Sequence, residues 1–332
     1  MRGYFYLSKR FFNLHGNIVN MSTECTTTNS AVLLQAVKSI IPPLTYAQHK
    51  GQNGRLATIG GCKEYTGAPY FAAISALKIG CDLSHVFCTK DASSVIKSYS
   101  PELIVHPVLD KNGGVEEIAS WLPRMHSIII GPGLGRESSI LENTKDIIIK
   151  ARDLNIPLVI DADGVYLLAQ SPEVIQGYTK AILTPNIMEF KLLYKKVLNE
   201  EPDLSQLSDS TKELSQALGS VTIVNKGASD IITDGKTVLM NSSEGSPRRC
   251  GGQGDLLSGS MGTMTFWAHR YYSSTDVGDD IHQLGRPTMI AAYGASLLTR
   301  KCANLAFAKN QRSMTTTDMI GEIGYAFRCL FE

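Results

Sequence analysis

A cluster of glycines followed by an aspartate is the strongest chemical signal in the sequence. Gly251, Gly252 and Gly254 lie within four positions, and Asp255 follows at the start of a segment with apolar residues at helical spacing. Backbone N–H groups at a helix start have no partner within the helix, so glycines there can present them to an anion. A neighbouring carboxylate can accept a proton from a hydroxyl that attacks a phosphoryl group. The alternative is that Asp255 is an ordinary N-cap.

Two other segments could bind phosphate or a dinucleotide. The run Gly131-Pro132-Gly133-Leu134-Gly135-Arg136 lets backbone come close to a ligand and offers Arg136 to a phosphate, although it lacks the spacing G-x-G-x-x-G. The run Lys226-Gly227-Ala228-Ser229-Asp230 is either a turn with a solvated charge or a lip over a nucleotide. Its own sequence favours the turn. The pattern G-x-x-x-x-G-K-[ST] does not occur, so phosphate would be handled by a different scheme.

Acidic residues in two segments could order magnesium through water. Asn186 and Glu189 have the spacing of a capping box, which needs no ligand, but the same helix start could face phosphate while Glu189 orders hydrated Mg²⁺. Asp161-Ala162-Asp163-Gly164 could also hold Mg²⁺ through water, and a turn that caps the following helix explains it equally well.

The elements that would position these segments alternate between strands and helices. The predicted strands are short apolar runs typical of strands buried on both faces: Leu56–Gly60, His85–Thr89, Leu103–His106, Ser127–Ile130, Leu158–Ile160, Ala181–Leu183 and Val221–Val224. The predicted helices are Pro69–Ile79, Ser93–Ser98, Val115–Leu122, Ser139–Leu154, Ile187–Lys195 and Thr211–Leu218. A hairpin of Asp230–Thr233 and Thr237–Met240 follows, joined through Asp234-Gly235, and long helices close the chain.

This order predicts one doubly wound α/β domain, a three-layer α/β/α architecture with a mostly parallel central sheet. Ligands of such sheets bind at the carboxyl ends of the strands, where the unusual turns of this chain fall. The polar stretch 271–285 is predicted to be an exposed insertion. Within it, Asp276, Asp279, Asp280 and His282 could bind a metal, but a solvated loop is the better interpretation.

Composition excludes several classes of function. The formal net charge of +1 gives no support for nucleic-acid binding by a basic face. The seven cysteines are scattered and never spaced as C-x-x-C, which argues against a disulfide framework or a zinc site and favours a reducing compartment. Apolar runs fall well short of the ~20 residues that span a bilayer, so no membrane partner is expected.

The first residues of the chain have a different composition from the rest. Residues 1–23 contain Arg2, Lys9 and Arg10 among aromatic and aliphatic residues, with no acidic residue before Glu24. This composition is typical of a mitochondrial targeting arm, and Met21 would provide a second start that omits it. We therefore expect mitochondrial and cytoplasmic locations. The alternative is a disordered tail that carries no targeting signal. The rest of the chain, residues 30–332, is expected to form a single domain.

The motifs together resemble a known family. A glycine-rich anion hole ending in Gly254-Asp255, preceded by an Asn-x-x-Glu segment, resembles the ribokinase-like superfamily. Within that superfamily, one segment is similar to the corresponding motif of the ATP-dependent NAD(P)H-hydrate dehydratases: Ser246-Pro247-Arg248-Arg249-Cys250-Gly251-Gly252-Gln253-Gly254-Asp255. Agreement extends to Tyr65-Thr66-Gly67-Ala68-Pro69, Ser100-Pro101-Glu102-Leu103, the Gly131–Arg136 and Asp161–Gly164 runs and Thr184-Pro185-Asn186.

The resemblance implies a repair reaction. Enzymes of this family remove water from the S epimer of hydrated NADH or NADPH and convert ATP to ADP and phosphate. On this basis Asp255 activates the ring hydroxyl, and Gly251, Gly252 and Gly254 stabilise charge on the transferred phosphoryl group. The resemblance also implies Mg²⁺ at Asn186 and Glu189, through water, and a functional pairing with an NAD(P)H-hydrate epimerase.

The resemblance assigns the two ligands to separate segments. ATP is expected to contact Lys226, Gly227, Ala228, Ser229, Asp230, Gly245, Ser246, Pro247, Arg248, Arg249, Cys250, Gly251, Gly252, Gln253 and Gly254. The hydrated dinucleotide is expected to contact Gly133, Gly135, Asn186, Ile187, Met188, Glu189, Phe190, Lys191, Leu192 and Asp255. Two alternatives remain: a ribokinase-like kinase that phosphorylates a hydroxyl of a vitamin precursor, and a non-catalytic nucleotide sensor, which the intact Gly254-Asp255 pair disfavours.

Overall fold

Nine strands form a single sheet in the part of the chain that the computed structural model describes, residues 30–274 and 284–332. The strand order is β3-β2-β1-β4-β5-β6-β7-β8-β9. The strands are β1 Arg55–Ile59, β2 Leu83–Cys88, β3 Ile104–Pro107, β4 Ser127–Ile130, β5 Leu158–Ile160, β6 Ala181–Leu183, β7 Thr222–Asn225, β8 Asp230–Thr233 and β9 Val238–Asn241. Strands β1 to β7 pair in parallel, whereas β8 and β9 are antiparallel. This confirms the mostly parallel sheet and the terminal hairpin.

Helices cover both faces of the sheet. They are α1 Ser30–Ile40, α2 Gly67–Ile79, α3 Lys90–Tyr99, α4 Gly114–Trp121, α5 Ser138–Asp153, α6 Asp163–Gln170, α7 Ile187–Leu198, α8 Leu207–Ala217, α9 Gln253–Tyr272, α10 Pro287–Asn310 and α11 Thr316–Phe331. Short 3-10 turns span Leu122–Arg124, Pro172–Val174, Leu204–Gln206 and Gln311–Ser313. None of the helices in the described ranges is long and apolar enough to cross a membrane.

Alternate residues of the central strands supply two separate cores. Ile129 of β4 packs with α1, α2, α9, α10 and α11, whereas Ile128 and Ile130 pack with α4 to α8. Successive side chains of a strand point to opposite faces, so a strand covered on both sides must be apolar throughout. The result is the predicted three-layer α/β/α architecture.

Two helices and the end of a third differ from the sequence prediction. Helices α1 and α6 were absent from the predicted set; α1 has no acidic residue in its first turn, and α6 is only eight residues long. Tyr271 and Tyr272, placed in the predicted insertion, instead pack against the core at the end of α9. The remainder of that insertion falls largely within 275–283, which lies outside the described residues and contains Asp276, Asp279, Asp280 and His282. The arm of residues 1–23, with Met21, also lies outside the described residues.

Candidate active site

The candidate site lies at the carboxyl ends of strands β4 to β7. Asp161 directly follows β5, Thr184 follows β6 and Lys226 follows β7. Their backbones continue the pairing of the sheet, with Asp161 N donating to Ile130 O and Lys226 N donating to Pro185 O. Parallel register thus brings side chains from distant parts of the chain to one edge, where α9 begins.

Asp161 and Lys226 form an ion pair at this edge. The Nζ atom of Lys226 donates to Oδ1 of Asp161 at 2.8 Å, and the Thr184 hydroxyl donates to the same oxygen at 2.7 Å. The Asp161 side chain is 2% exposed and that of Lys226 is 21% exposed. Burial alone would lower the pKa of Lys226, but the carboxylates of Asp161, Glu189 and Asp255 hold it above its ordinary value. The lysine is therefore charged.

Asp255 lies beside this pair with its carboxylate free. A Cβ on Gly254 would lie 3.4 Å from Lys226 Nζ and 3.6 Å from Asp161 Oδ2, so the residue preceding Asp255 rests on the ion pair. Burial, reinforced by the Asp161 charge and opposed by Lys226, raises the pKa of Asp255 to about 8. The Asp255 carboxylate accepts no hydrogen bond from any residue in the described ranges, and a carboxylate in that state is suited to accept a proton from a ligand.

Gly252, not Asp255, is the N-cap of α9, so the N-cap interpretation of Asp255 is wrong. Gly252 has φ +94°, and a Cβ there would lie 2.7 Å from Phe71 Cδ2 and 3.0 Å from Thr316 Oγ1. The Thr316 hydroxyl donates to Gly251 O at 2.7 Å. The glycine loop is thus fixed from behind by α2 and α11, which sequence reasoning missed.

The residues preceding the glycines form an exposed loop with local hydrogen bonds. Arg248 N donates to Ser246 Oγ at 2.9 Å, and Gln253 Nε2 donates to Arg248 O at 3.1 Å. Pro247, Arg248 and Arg249 are exposed, and Cys250 is half-buried. The loop leaves both arginine side chains on its outer surface.

The Lys226–Asp230 segment joins β7 to β8 and makes the bend that its own sequence favours, but the expected solvated charge is wrong, because Lys226 pairs with the buried Asp161. Gly227 N donates to Asp230 Oδ1 at 3.1 Å, and the Ser229 hydroxyl lies 2.9 Å from that of Ser242. The second contact brings the segment against the chain that leads to Gly245. The two segments predicted to bind ATP are therefore neighbours.

Asn186 and Glu189 form the capping box of α7. Asn186 Oδ1 accepts from Met188 N and Glu189 N, and Glu189 Oε2 accepts from Asn186 N at 2.8 Å. Burial and the charges of Asp161 and Asp163 raise the pKa of Glu189, against the opposing effects of Lys226 and the Asn186 N–H. The structural interpretation of this pair is confirmed, and the Mg²⁺ interpretation stays a prediction.

The other residues of the α7 segment divide between surface and core. Ile187 and Met188 are 37% and 68% exposed at the helix start, whereas Phe190 is fully buried in the core. Leu192 is partly buried against the same core, and Lys191 is half-buried. Phe190 and Leu192 thus anchor α7, while Ile187 and Met188 are available to a ligand; the substrate-binding role of the segment stays a prediction.

The turn containing Gly133 and Gly135 approaches the site from β4. Gly133 has φ +61°, and a Cβ there would lie 2.6 Å from Tyr65 O. Asp163 accepts from Gly135 N at 3.1 Å and from Arg136 Nε at 3.0 Å. The Asp161–Gly164 run is a turn at the start of α6, with Gly164 N donating to Asp161 O at 2.9 Å, but no side chain of the described residues caps the helix at Ala162, so only the side-chain form of the capping explanation is wrong. Asp163 braces the turn, and Arg136, which was expected to be available to phosphate, already has an anionic partner.

Comparison with known proteins matches this chain to one family. The family model for NAD(P)H-hydrate dehydratase matches residues 56–324. The chain belongs to this family. A curated relative from Danio rerio, "ATP-dependent (S)-NAD(P)H-hydrate dehydratase", is 58% identical over 300 residues, which cover 90% of this chain and 89% of the relative. A human relative of the same name is 55% identical over 299 residues, with coverage of 90% and 84%.

Solved structures agree on the fold. The ADP/ATP-dependent NAD(P)H-hydrate dehydratase of Bacillus subtilis, co-crystallised with ATP and Mg²⁺, is 20% identical with a TM-score of 0.67, covering 90% of this chain and 97% of that one. A ribokinase-like superfamily protein from Enterococcus faecalis is 20% identical with a TM-score of 0.71, covering 90% and 94%. Together with the sheet order, these likenesses confirm the ribokinase-like fold of this NAD(P)H-hydrate dehydratase family member.

Proposed function

We propose that the protein dehydrates the S epimer of hydrated NADH and NADPH, consuming ATP and releasing NAD(P)H, ADP and phosphate. The observation that carries the proposal is the free carboxylate of Asp255, which follows the glycine loop at the start of α9 and has its pKa raised to about 8. Relatives named for this activity are 52–58% identical to the chain.

The chemistry divides into phosphoryl transfer and elimination. A ring hydroxyl is a poor leaving group, so Asp255 accepts its proton while the oxygen attacks the γ-phosphorus of ATP and the bond to ADP breaks. Backbone N–H groups of the loop at Gly251, Gly252 and Gly254 stabilise the developing charge. The C–O bond then breaks with its electron pair on phosphate, and loss of a proton from the adjacent ring carbon restores the double bond.

The proposal gives the two ligands different segments around Asp255. ATP contacts the segments Lys226–Asp230 and Gly245–Gly254, which lie together, and Arg248 and Arg249 supply exposed guanidinium groups for its phosphates. The hydrated dinucleotide contacts the start of α7 and the Gly133–Gly135 turn. The exposed Ile187 and Met188 offer apolar surface to its rings.

Magnesium fits the α7 end of the site. Mg²⁺ prefers carboxylate oxygens and keeps several of its waters. Glu189 uses one carboxylate oxygen in the capping box and accepts no second hydrogen bond from any described residue, so its other oxygen is available to a bound water. Its raised pKa marks a place where a divalent cation would favour the ionised carboxylate. Bound there, Mg²⁺ would neutralise phosphate charge.

Recovery of reduced cofactor tests the function directly. Purified protein is mixed with hydrated NADH, ATP and Mg²⁺, and the absorbance of the reduced ring is followed. We expect recovery that depends on ATP and is matched by ADP formation. No recovery would reject the proposal, and a stable phosphorylated product of a vitamin precursor in mass spectrometry would instead support the kinase alternative.

The same proposal includes a partner and two locations. Because only the S epimer is a substrate, complete repair requires an NAD(P)H-hydrate epimerase, and a mixed hydrate preparation should recover fully only after that enzyme is added. The composition of residues 1–23 supports mitochondrial import, with cytoplasmic protein starting at Met21. Fluorescent fusions starting at Met1 and at Met21 test this, and a Met1 fusion that never enters mitochondria would contradict it.

A further inference from the structure

Arg300, on α10, lies behind the segment Lys226–Asp230, which the proposed function assigns to ATP, and behind the chain 241–245 that leads into the second ATP segment. Its Nε and Nη2 atoms donate to the two oxygens of Asp230 at 3.0 and 2.8 Å. Its remaining N–H groups donate to Ala228 O at 2.9 Å, Ser243 O at 3.1 Å and Gly227 O at 3.0 Å. An arginine has five N–H donors, and here every one has an acceptor.

This arrangement excludes Arg300 as a ligand of the nucleotide itself. No donor is left for a phosphate oxygen, and the side chain is only 13% exposed. Asp230 is equally committed, since its Oδ2 also accepts from the Ser296 hydroxyl at 2.6 Å, which in turn accepts from Asn241 Nδ2 at 2.7 Å. The network ties the first residue of β8 and the last residue of β9, which are paired at the open end of the hairpin, to α10.

The hydrogen bonds orient the peptide groups of both segments. In a trans peptide the C=O and N–H point in opposite directions, so each carbonyl turned toward Arg300 turns the next N–H away from it. The carbonyls of Gly227 and Ser243 therefore direct the N–H groups of Ala228 and Glu244 outward. Both residues are exposed, and neither N–H donates to any residue in 30–274 or 284–332. Outward N–H groups in a loop are suited to bind an anion.

We propose that Arg300 is a positioning residue for ATP, which holds the segments Lys226–Asp230 and Asn241–Gly245 together with their free N–H groups facing the nucleotide. The inference rests on the proposed function for the identity of the ligand. It adds a residue outside every motif on which the sequence analysis relied.

A matched control lies at the other end of the same hairpin. Arg286, at the N-cap of α10, donates to Ser220 O at 2.7 Å and lies 3.7 Å from Asp234 in the hairpin turn. Like Arg300, it donates a hydrogen bond to a backbone carbonyl and forms an ion pair with an aspartate, but its partners are not in the predicted ATP segments. Arg286→Lys therefore measures the loss of stability when such an arginine is removed, without disturbing the segments that Arg300 contacts.

The test compares Arg300→Lys with Arg286→Lys in the full-length protein. Lysine keeps the charge but offers three donors from one atom, so it cannot reach both segments and the Asp230 carboxylate at once. We expect Arg300→Lys to raise the KM and Kd for ATP by about tenfold or more, the scale of one lost charge-assisted hydrogen bond. Turnover at saturating ATP should change by no more than about twofold. Arg286→Lys should lower the melting temperature and leave the KM for ATP unchanged.

An unchanged ATP affinity in Arg300→Lys would overturn the inference, as would an equal loss of affinity in Arg286→Lys. Calorimetric titration of ATP and Mg²⁺ separates this result from the fate of the proposed function. If the wild type binds ATP without dehydrating hydrated NADH, the reaction assignment falls, and the comparison of the two Kd values still decides the role of Arg300. A wild type that binds no ATP overturns both.

Discussion

Lys226 Nζ lies 2.8 Å from Asp161 Oδ1, and this pair supports the glycine loop beneath Gly254. Asp161 and Lys226 come from loops after different strands, 65 positions apart, and meet because β5, β6 and β7 are parallel neighbours. The family resemblance implies that this lysine is an ATP ligand. The structure gives it an internal partner as well, so its charge offsets that of Asp161 and moderates the pKa of Asp255.

Removal of the lysine charge should destabilise the fold. Lys226→Met leaves Asp161 buried without its ion partner, and breaking a buried pair in this way costs about 3–5 kcal/mol. Urea unfolding measures the loss. The control is Lys195→Met, since the Lys195–Glu201 pair is 62% and 66% exposed, and its loss should cost less than about 1 kcal/mol. If Lys226→Met and Lys195→Met lose similar stability, or if adding Asp161→Asn recovers none of the loss, the pair has no such role.

Activity should rise with pH through the titration of Asp255. The carboxylate accepts a proton only when ionised, and the pKa of Asp255 is about 8 in the free protein, so kcat/KM should increase up to about pH 8 and then level off. Asp161 raises that pKa and Lys226 lowers it. Asp161→Asn should therefore move the profile to lower pH. A profile that is flat between about pH 6 and 9, or one that Asp161→Asn moves to higher pH, would contradict this assignment.

Asp255→Asn should lose activity while gaining stability at alkaline pH. Loss of a positioned base typically lowers turnover by about 10²–10⁴-fold. Because the folded pKa of Asp255 lies above its ordinary value of 3.8, the folded state retains a proton that the unfolded chain releases, and wild-type stability falls as pH rises from about 4 to about 8. Asparagine has no such penalty. Melting temperatures of the two proteins should therefore coincide near pH 4 and favour the variant near pH 8; the reverse order would refute the buried-carboxylate interpretation.

Much of this fold was accessible from local sequence because its central strands are apolar on both faces. The runs Ser127–Ile130, Leu158–Ile160 and Ala181–Leu183 are strands with the predicted bounds. Apolar runs without polar alternation, separated by helical segments, indicate a parallel sheet. Ligands of such a sheet bind at the carboxyl ends of its strands, so the turns that follow the strands are expected to lie together. The glycine loop was accessible from local sequence too, because its glycines and Asp255 lie in one short segment of the chain.

The contacts between distant segments were not accessible in the same way. Nothing in the motif at Asp161 indicates that its first aspartate pairs with Lys226 and its second with Arg136. Arg300 and Thr316 lie on closing helices with no motif, and their hydrogen bonds to the ATP segments depend on how α10 and α11 pack. Such pairings are set by tertiary packing, which a single sequence does not encode locally.

Two adjacent glycines of the loop should respond differently to alanine. Gly252→Ala places a Cβ 2.7 Å from Phe71 and requires φ +94°, so it should destabilise the fold by about 1–3 kcal/mol and lower ATP-dependent turnover. At Gly251 a Cβ would meet no atom of residues 30–274 or 284–332 within 4 Å, and φ is not in the left-handed region. Gly251→Ala should keep its melting temperature, so any loss of turnover reports contact with the ligand itself. Equal melting temperatures for the two variants would show that Gly252 is not sterically constrained.

Arg249 should contribute to ATP binding and not to stability. Its side chain is exposed and donates to no residue within 30–274 or 284–332, so the guanidinium is available for a phosphate. Arg249→Ala should raise the KM for ATP by about tenfold, the loss of one charge-assisted contact, with the melting temperature unchanged. Arg124→Ala is the control, because Arg124 is also exposed but precedes β4 and lies at the opposite edge of the sheet. An unchanged KM for Arg249→Ala, or the same increase for Arg124→Ala, would place Arg249 outside the nucleotide site.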